Sequence, residues 1–161
     1  MPESYRWPNG TMPYEFDPAF SSSERDMILR SFKAIGKKTC VDFVKRKKEK
    51  DWVYFERTVD QGCASDNRSD RDDYITINWD NIPCGYHRRF VKVNSTSVAT
   101  FDLPYDYVSI IMHYSNNEGG IDPDVPVLIP KPNYGLKIGN NKLSLMDILR
   151  INRMYNCDPA K

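Results

Sequence analysis

The chain has 161 residues, 40% of them hydrophobic and 12% aromatic, which is enough for one cored domain. With 23 basic and 22 acidic residues its formal charge is +1, so no global field draws it to nucleic acid or to an anionic membrane. No run approaches the roughly 18 consecutive apolar residues of a membrane span, and the N-terminus lacks the apolar core of a signal peptide, so a leader for secretion is expected outside this sequence.

The opening Arg6-Trp7-Pro8-Asn9-Gly10-Thr11-Met12-Pro13 is turn-rich. Tyr14-Glu15-Phe16 then alternates like a short strand, which Asp17-Pro18 stops. A helix is predicted next, because Ser21-x-x-Glu24 has capping-box spacing and Ile28, Phe32 and Ile35 share one face up to Gly36. Two β-rich runs follow, Cys40 to Val44 and Trp52 to Phe55, and their spacing suits a hairpin. The charged stretch between them, Lys45 to Asp51, contains Glu49 and no interleaved aromatics, which favours a solvated turn over a polyanion-binding patch.

The acidic run Ser65 to Asp73 lacks the glycine and terminal glutamate of a calcium loop and reads as a hydrophilic loop before the strand Tyr74-Ile75-Thr76-Ile77. Apolar runs at Val108 to Met112 and Val125 to Ile129 lead to a closing helix. Ser144 is its cap, Asp147 its third residue, Ile148, Ile151 and Tyr155 its stripe, and Cys157 follows its end. The four cysteines, Cys40, Cys63, Cys84 and Cys157, lack paired C-x-x-C knuckles and favour disulfides, with three connectivities open. Asn9, Asn67 and Asn94 each begin an Asn-x-Ser/Thr triplet, a glycosylation signal that fits passage through a secretory compartment.

Five ordered strings together resemble the astacins, zinc endopeptidases of the metzincin class. Arg6 to Gly10 with Pro13-Tyr14 resembles the start of the mature domain, and Thr39-Cys40-Val41-Asp42-Phe43 the end of the first helix and the strand after it. Ser69-Asp70-Arg71-Asp72-Asp73-Tyr74-Ile75-Thr76-Ile77-Asn78 resembles the segment after the third zinc histidine. Tyr105-Asp106-Tyr107, Ser109 and Met112-His113-Tyr114-Ser115 resemble the Met-turn, and Leu143-Ser144 through Cys157 the terminal helix. The resemblance implies an α+β fold: a twisted sheet with N-terminal and C-terminal helices, in two lobes, over residues 1–161. It also implies secretion, zinc as the family's cofactor and proteins or peptides as its substrates, with neither nucleic-acid binding nor membrane insertion.

The family's zinc motif, H-E-x-x-H-x-x-G-x-x-H, places two histidines one helical turn apart and a glutamate as general base to a metal-bound water. The chain has two histidines, His87 and His113, and neither lies in such a motif. Alignment on the following segment puts Ala64 where the third histidine belongs and Ser65 where the family has a glutamate, while Gly62-Cys63 resembles a cysteine segment well upstream. A block is thus missing between about 63 and 66, the zinc helix with it, and no zinc and no catalysis are predicted for this chain. A non-catalytic binding or decoy module, or an exon-skipped or mispredicted product of an active astacin, would each read this way.

Tyr114, two residues after Met112, corresponds to the family's oxyanion-stabilising tyrosine and is left without a metal to assist. The Ser109-Ile110-Ile111-Met112 run also carries one isoleucine more than the family's Ser-Ile-Met. A rebuilt zinc site around Cys84-x-x-His87 with Cys63 or His113 is the weaker alternative, since it supplies neither base nor open position. The resemblance pairs Cys40 with Cys157. A Cys63 to Cys84 bridge then follows from parity alone, with a free Cys63 as its competitor.

Overall fold

The computed structural model describes residues 3–57, 68–92, 100–110, 120–131 and 136–158. Contacts divide the chain into a terminal unit, Pro2–Gln61 with Ile151–Lys161, and a central unit, Gly62–Arg150.

In the terminal unit, strand β1 (Thr11–Phe16) runs between β2 (Asp42–Lys45) and β3 (Val53–Phe55), in the order β2-β1-β3 with both pairings parallel. The predicted hairpin of the Cys40 and Trp52 runs is therefore incorrect. Spacing alone cannot tell two neighbouring strands from two strands with a third inserted between them, and here β1 fills that place. The connecting stretch crosses β1 and is held there: the Arg46 guanidinium meets Glu15 of β1 at 3.0 Å and lies 3.2 Å from the centre of the Trp52 ring. Glu49 closes the turn by accepting the backbone N–H of Lys47 and Lys48, and these bonds hold its carboxyl below the usual range.

Pro13 sits on this central strand although it has no N–H to give. The ladder to β3 begins only at Tyr14 opposite Val53, so the missing donor lies outside it. Helix α1 (Ser22–Gly36) starts where the sequence places it, with Ser21 and Glu24 forming a reciprocal capping box. Its Phe32 stacks on Phe43 at 4.2 Å and meets Tyr14 and Phe55 at 4.9 and 5.6 Å. These rings are only half-buried, and no residue of α1 is fully buried.

In the central unit, a short helix α2 (Arg71–Tyr74) runs directly into β4 (Ile75–Ile77), which pairs antiparallel with β5 (Leu128–Pro130). The acidic run expected as loop is partly this helix. Ile75 and Ile77 point inward while Thr76 is exposed, the period of two expected of a half-buried strand. They join Ile82, Phe90, Tyr105, Val127, Leu128 and Ile138 in a buried core, where Ile138 is 0% and Ile75 1% exposed. Buried Asn81 ties in the next loop through its side-chain amide, which donates to the carbonyls of Asp122 and Val125 and accepts the Asp122 N–H.

Helix α3 (Leu145–Tyr155) begins in the central unit and ends in the terminal one. Among the described residues, no helix is long and apolar enough to cross a membrane.

Candidate functional site

In the central unit two arginines are buried and given fixed partners. The Arg68 guanidinium forks onto the Asp70 carboxylate with bonds of 2.8 and 2.7 Å and donates to the Leu103 carbonyl at 3.3 Å. Arg71 grips one Asp72 oxygen at 3.0 and 2.9 Å and donates to the Phe90 carbonyl at 2.6 Å. Lys92 closes on the other Asp72 oxygen at 2.7 Å. The hydrogen bond from Arg68 holds the Asp70 carboxyl below its ordinary value, and Lys92 does the same for Asp72. Tyr74 stacks on Tyr105 at 4.3 Å, and Tyr107 donates its hydroxyl to the Tyr74 carbonyl at 3.1 Å while burial pushes its own pKa up. Two of the sequence-matched strings, Ser69 to Asn78 and Tyr105 to Tyr107, are thereby gathered round the start of β4.

A second network fixes the chain ahead of Met112. Ser144 and Asp147 cap α3 reciprocally, Asp147 N–H to Ser144 Oγ at 2.9 Å and Ser144 N–H to Asp147 Oδ2 at 3.0 Å. The same buried carboxylate accepts the Ser109 hydroxyl at 2.6 Å and the Ile110 N–H at 2.9 Å. Sequence reading places Asp147 only at the third helical position and misses both its reciprocal bond to Ser144 and its hold on Ser109 and Ile110; its only local trace is a carboxylate at a helix start that folding takes inside. Met112, His113 and Tyr114, like Cys63, Asn67 and Asn94, lie outside the described residues.

In the terminal unit the first and last strings meet. Cys40 is bonded to Cys157, as the resemblance implies. Gly10, at φ +68°, lies so close to the Cys40 carbonyl oxygen that a Cβ would stand 2.8 Å from it. The Trp7 N–H reaches the Tyr155 hydroxyl at 3.4 Å. Arg6, Trp7, Asp42, Asp51, Tyr155 and Asn156 line an open cleft of about 1050 Å³ against this corner. Asn9 is exposed at its rim, in the left-handed region at φ 53°. Cys84 is an exposed free thiol, which does not match the parity pairing with Cys63.

The sequence profile of Astacin (Peptidase family M12A) matches residues 1–67 and 65–156. The chain belongs to the astacin family.

Among its relatives, the zinc metalloproteinase nas-8 of Steinernema carpocapsae is 29% identical over 94% of this chain and 45% of its own length. The low choriolytic enzyme of Oryzias latipes is 30% identical over 97% of this chain and 71% of its own. High choriolytic enzyme 1 of the same fish, a hatching enzyme zinc-protease of known structure, superposes with a TM-score of 0.83 at 30% identity, over 97% of this chain and 96% of that one. The α+β astacin fold is thus established. The chain spans about half the length of the nematode zinc metalloproteinases it matches. The first two alignments run over 188 and 199 positions, more than the 161 residues here, so both relatives carry residues that have no counterpart in this chain. The two profile matches meet at residues 65–67.

Astacins are zinc-dependent, but the described residues do not fit that metal. None of their histidine, cysteine, aspartate or glutamate side chains form a group of three or more able to hold an ion. The His87 ring lies edge-on to Trp79, and its Nε2 is 2.9 Å from the Ile82 carbonyl, an oxygen that only accepts, so this nitrogen carries the proton. Asp70, Asp72 and Asp147 are each committed to arginine, lysine or backbone partners. Among the described residues, what the site offers chemically is a set of fixed hydrogen-bond positions.

Proposed function

We propose that this chain is a non-catalytic astacin domain that recognises proteins or peptides without cleaving them. The observation that carries this reading is the absence of H-E-x-x-H from a sequence with two histidines in all. Hydrolysis by this family's chemistry needs a metal with an open position and a base beside its water, and this chain has lost the motif that supplies both. A block missing between about 63 and 66 accounts for the loss, and the meeting of the two profile matches at 65–67 supports it. The domain works outside the cell, where the Cys40–Cys157 bond persists and Asn9 is open to glycosylation.

Zinc content by mass spectrometry and cleavage of casein by the purified protein test the reading together. No retained zinc and no cleavage are expected. One equivalent of zinc held through dialysis, with chelator-sensitive cleavage, would overturn it.

A further inference from the structure

Strand β3 ends the three-stranded sheet, and among the described residues no strand lies beyond it. Backbone groups along a strand point alternately to its two sides. Asp17 N–H donates to the Phe55 carbonyl at 2.8 Å, so Val53 and Phe55 address β1, and the N–H and C=O of Trp52, Tyr54 and Glu56 face outward. The edge carries no proline, and its apolar side chains are open: Tyr54 is 47% and Trp52 38% exposed. The edge is only three residues long and is flanked by charges, Lys50 and Asp51 before it and Glu56 and Arg57 after it, so a partner must complement those charges to pair with it.

We propose that β3 is the docking edge for a second copy of this chain, joined antiparallel about a two-fold axis at Tyr54. In that register Tyr54 faces its own equivalent and Trp52 faces Glu56 of the second copy, so every outward donor meets an outward acceptor. Phe55 then lies against Val53 of the second copy, and Arg57 against Asp51, with Glu56 diagonal to Lys50. Opposite charges meet at both ends and like charges nowhere. Slipping by two residues sets Phe55 against Asp51 or Arg57 against Val53, and slipping by one turns the outward groups toward inward ones. Arg57 can turn to this role, because its side chain is 56% exposed and its bonds to Glu24 and to the Ala19 carbonyl are each 3.4 Å long, an arrangement that contributes little. The inference rests on the sheet alone and stands whether or not the domain cleaves peptides.

Sedimentation velocity on the chain up to about 100 μM is expected to show a monomer–dimer equilibrium. Tyr54→Pro removes an N–H that bonds nothing among the described residues, so it is expected to weaken the dimer by roughly tenfold or more with an unchanged circular dichroism spectrum. Asp51→Arg is expected to weaken it, and adding Arg57→Asp to restore it. Should Tyr54→Pro disturb the fold, the charge exchange decides alone. A monomer at every concentration, a dimer indifferent to Tyr54→Pro, or a charge exchange that fails to restore pairing overturns the proposal.

Discussion

The two units of the molecule solve the same problem with different means. The central unit has a continuous core in which Ile75, Val127, Leu128 and Ile138 are nearly or wholly removed from water, although its sheet has only two short strands. The terminal unit has the larger sheet and the longer helix, yet its rings Tyr14, Phe16, Phe32, Phe43 and Phe55 are half-buried, and Val41 is its one fully buried large hydrophobic residue among those described. Apolar burial stabilises in proportion to the area removed from water. The terminal unit must therefore draw more of its stability from covalent and capping terms. The Cys40–Cys157 bond and the Ser21–Glu24 box are where it finds them.

That contrast can be broken most directly at the disulfide. Replacing Cys40 and Cys157 by serine opens a loop of 117 residues, and the chain-entropy treatment assigns such a closure about 4 to 5 kcal/mol. Hydrogen exchange should then show the amides of β1 to β3 losing protection before those of β4 and β5. Equal loss in both units would dissolve the contrast. A paired truncation sharpens it: Ile75→Ala, at 1% exposure, is expected to cost about 3 to 4 kcal/mol in urea denaturation, against about 1 to 2 for half-buried Phe32→Ala, although phenylalanine is the larger side chain.

Asp147→Asn leaves the shape but weakens the acceptor of Ser109, Ile110 and Ser144, and about 2 kcal/mol is expected. Its signature is lost exchange protection at Ile110 along with the start of α3, which a simple cap defect would not produce. The smallest effect is with pH. Asp70 and Asp72 have lowered folded-state pKa values, so their contribution is complete above the ordinary carboxylate value of about 3.9 and is lost as pH falls through the folded values. Asp70→Asn is expected to flatten the acid limb of a stability–pH curve and leave the neutral region parallel to the parent.

Local chemistry was legible in the sequence to the extent that a few neighbouring residues determine it. The Ser21–Glu24 capping box, the strand at Ile75 to Ile77, and the closing helix with its Ser144 cap before Cys157 could all be read from spacing. Strand pairing could not, because β2 and β3 are joined only through β1, and no local signal in the stretch from Lys45 to Asp51 reports an inserted strand. The double use of Asp147 was hidden for the same reason: Ser109 is 38 residues away and becomes its partner only on folding. Of the candidate site, the missing metal motif was plain in the sequence, since an absent histidine needs no geometry to be noticed.

The disulfide also decides how damage to this molecule would appear. The bond between Cys40 and Cys157 closes a covalent ring that includes residues 62–150, the whole central unit. A protease that nicks the chain once anywhere inside that ring separates no fragment. The nicked protein would run as intact on a non-reducing gel, and only a reducing lane would reveal that it had been cut.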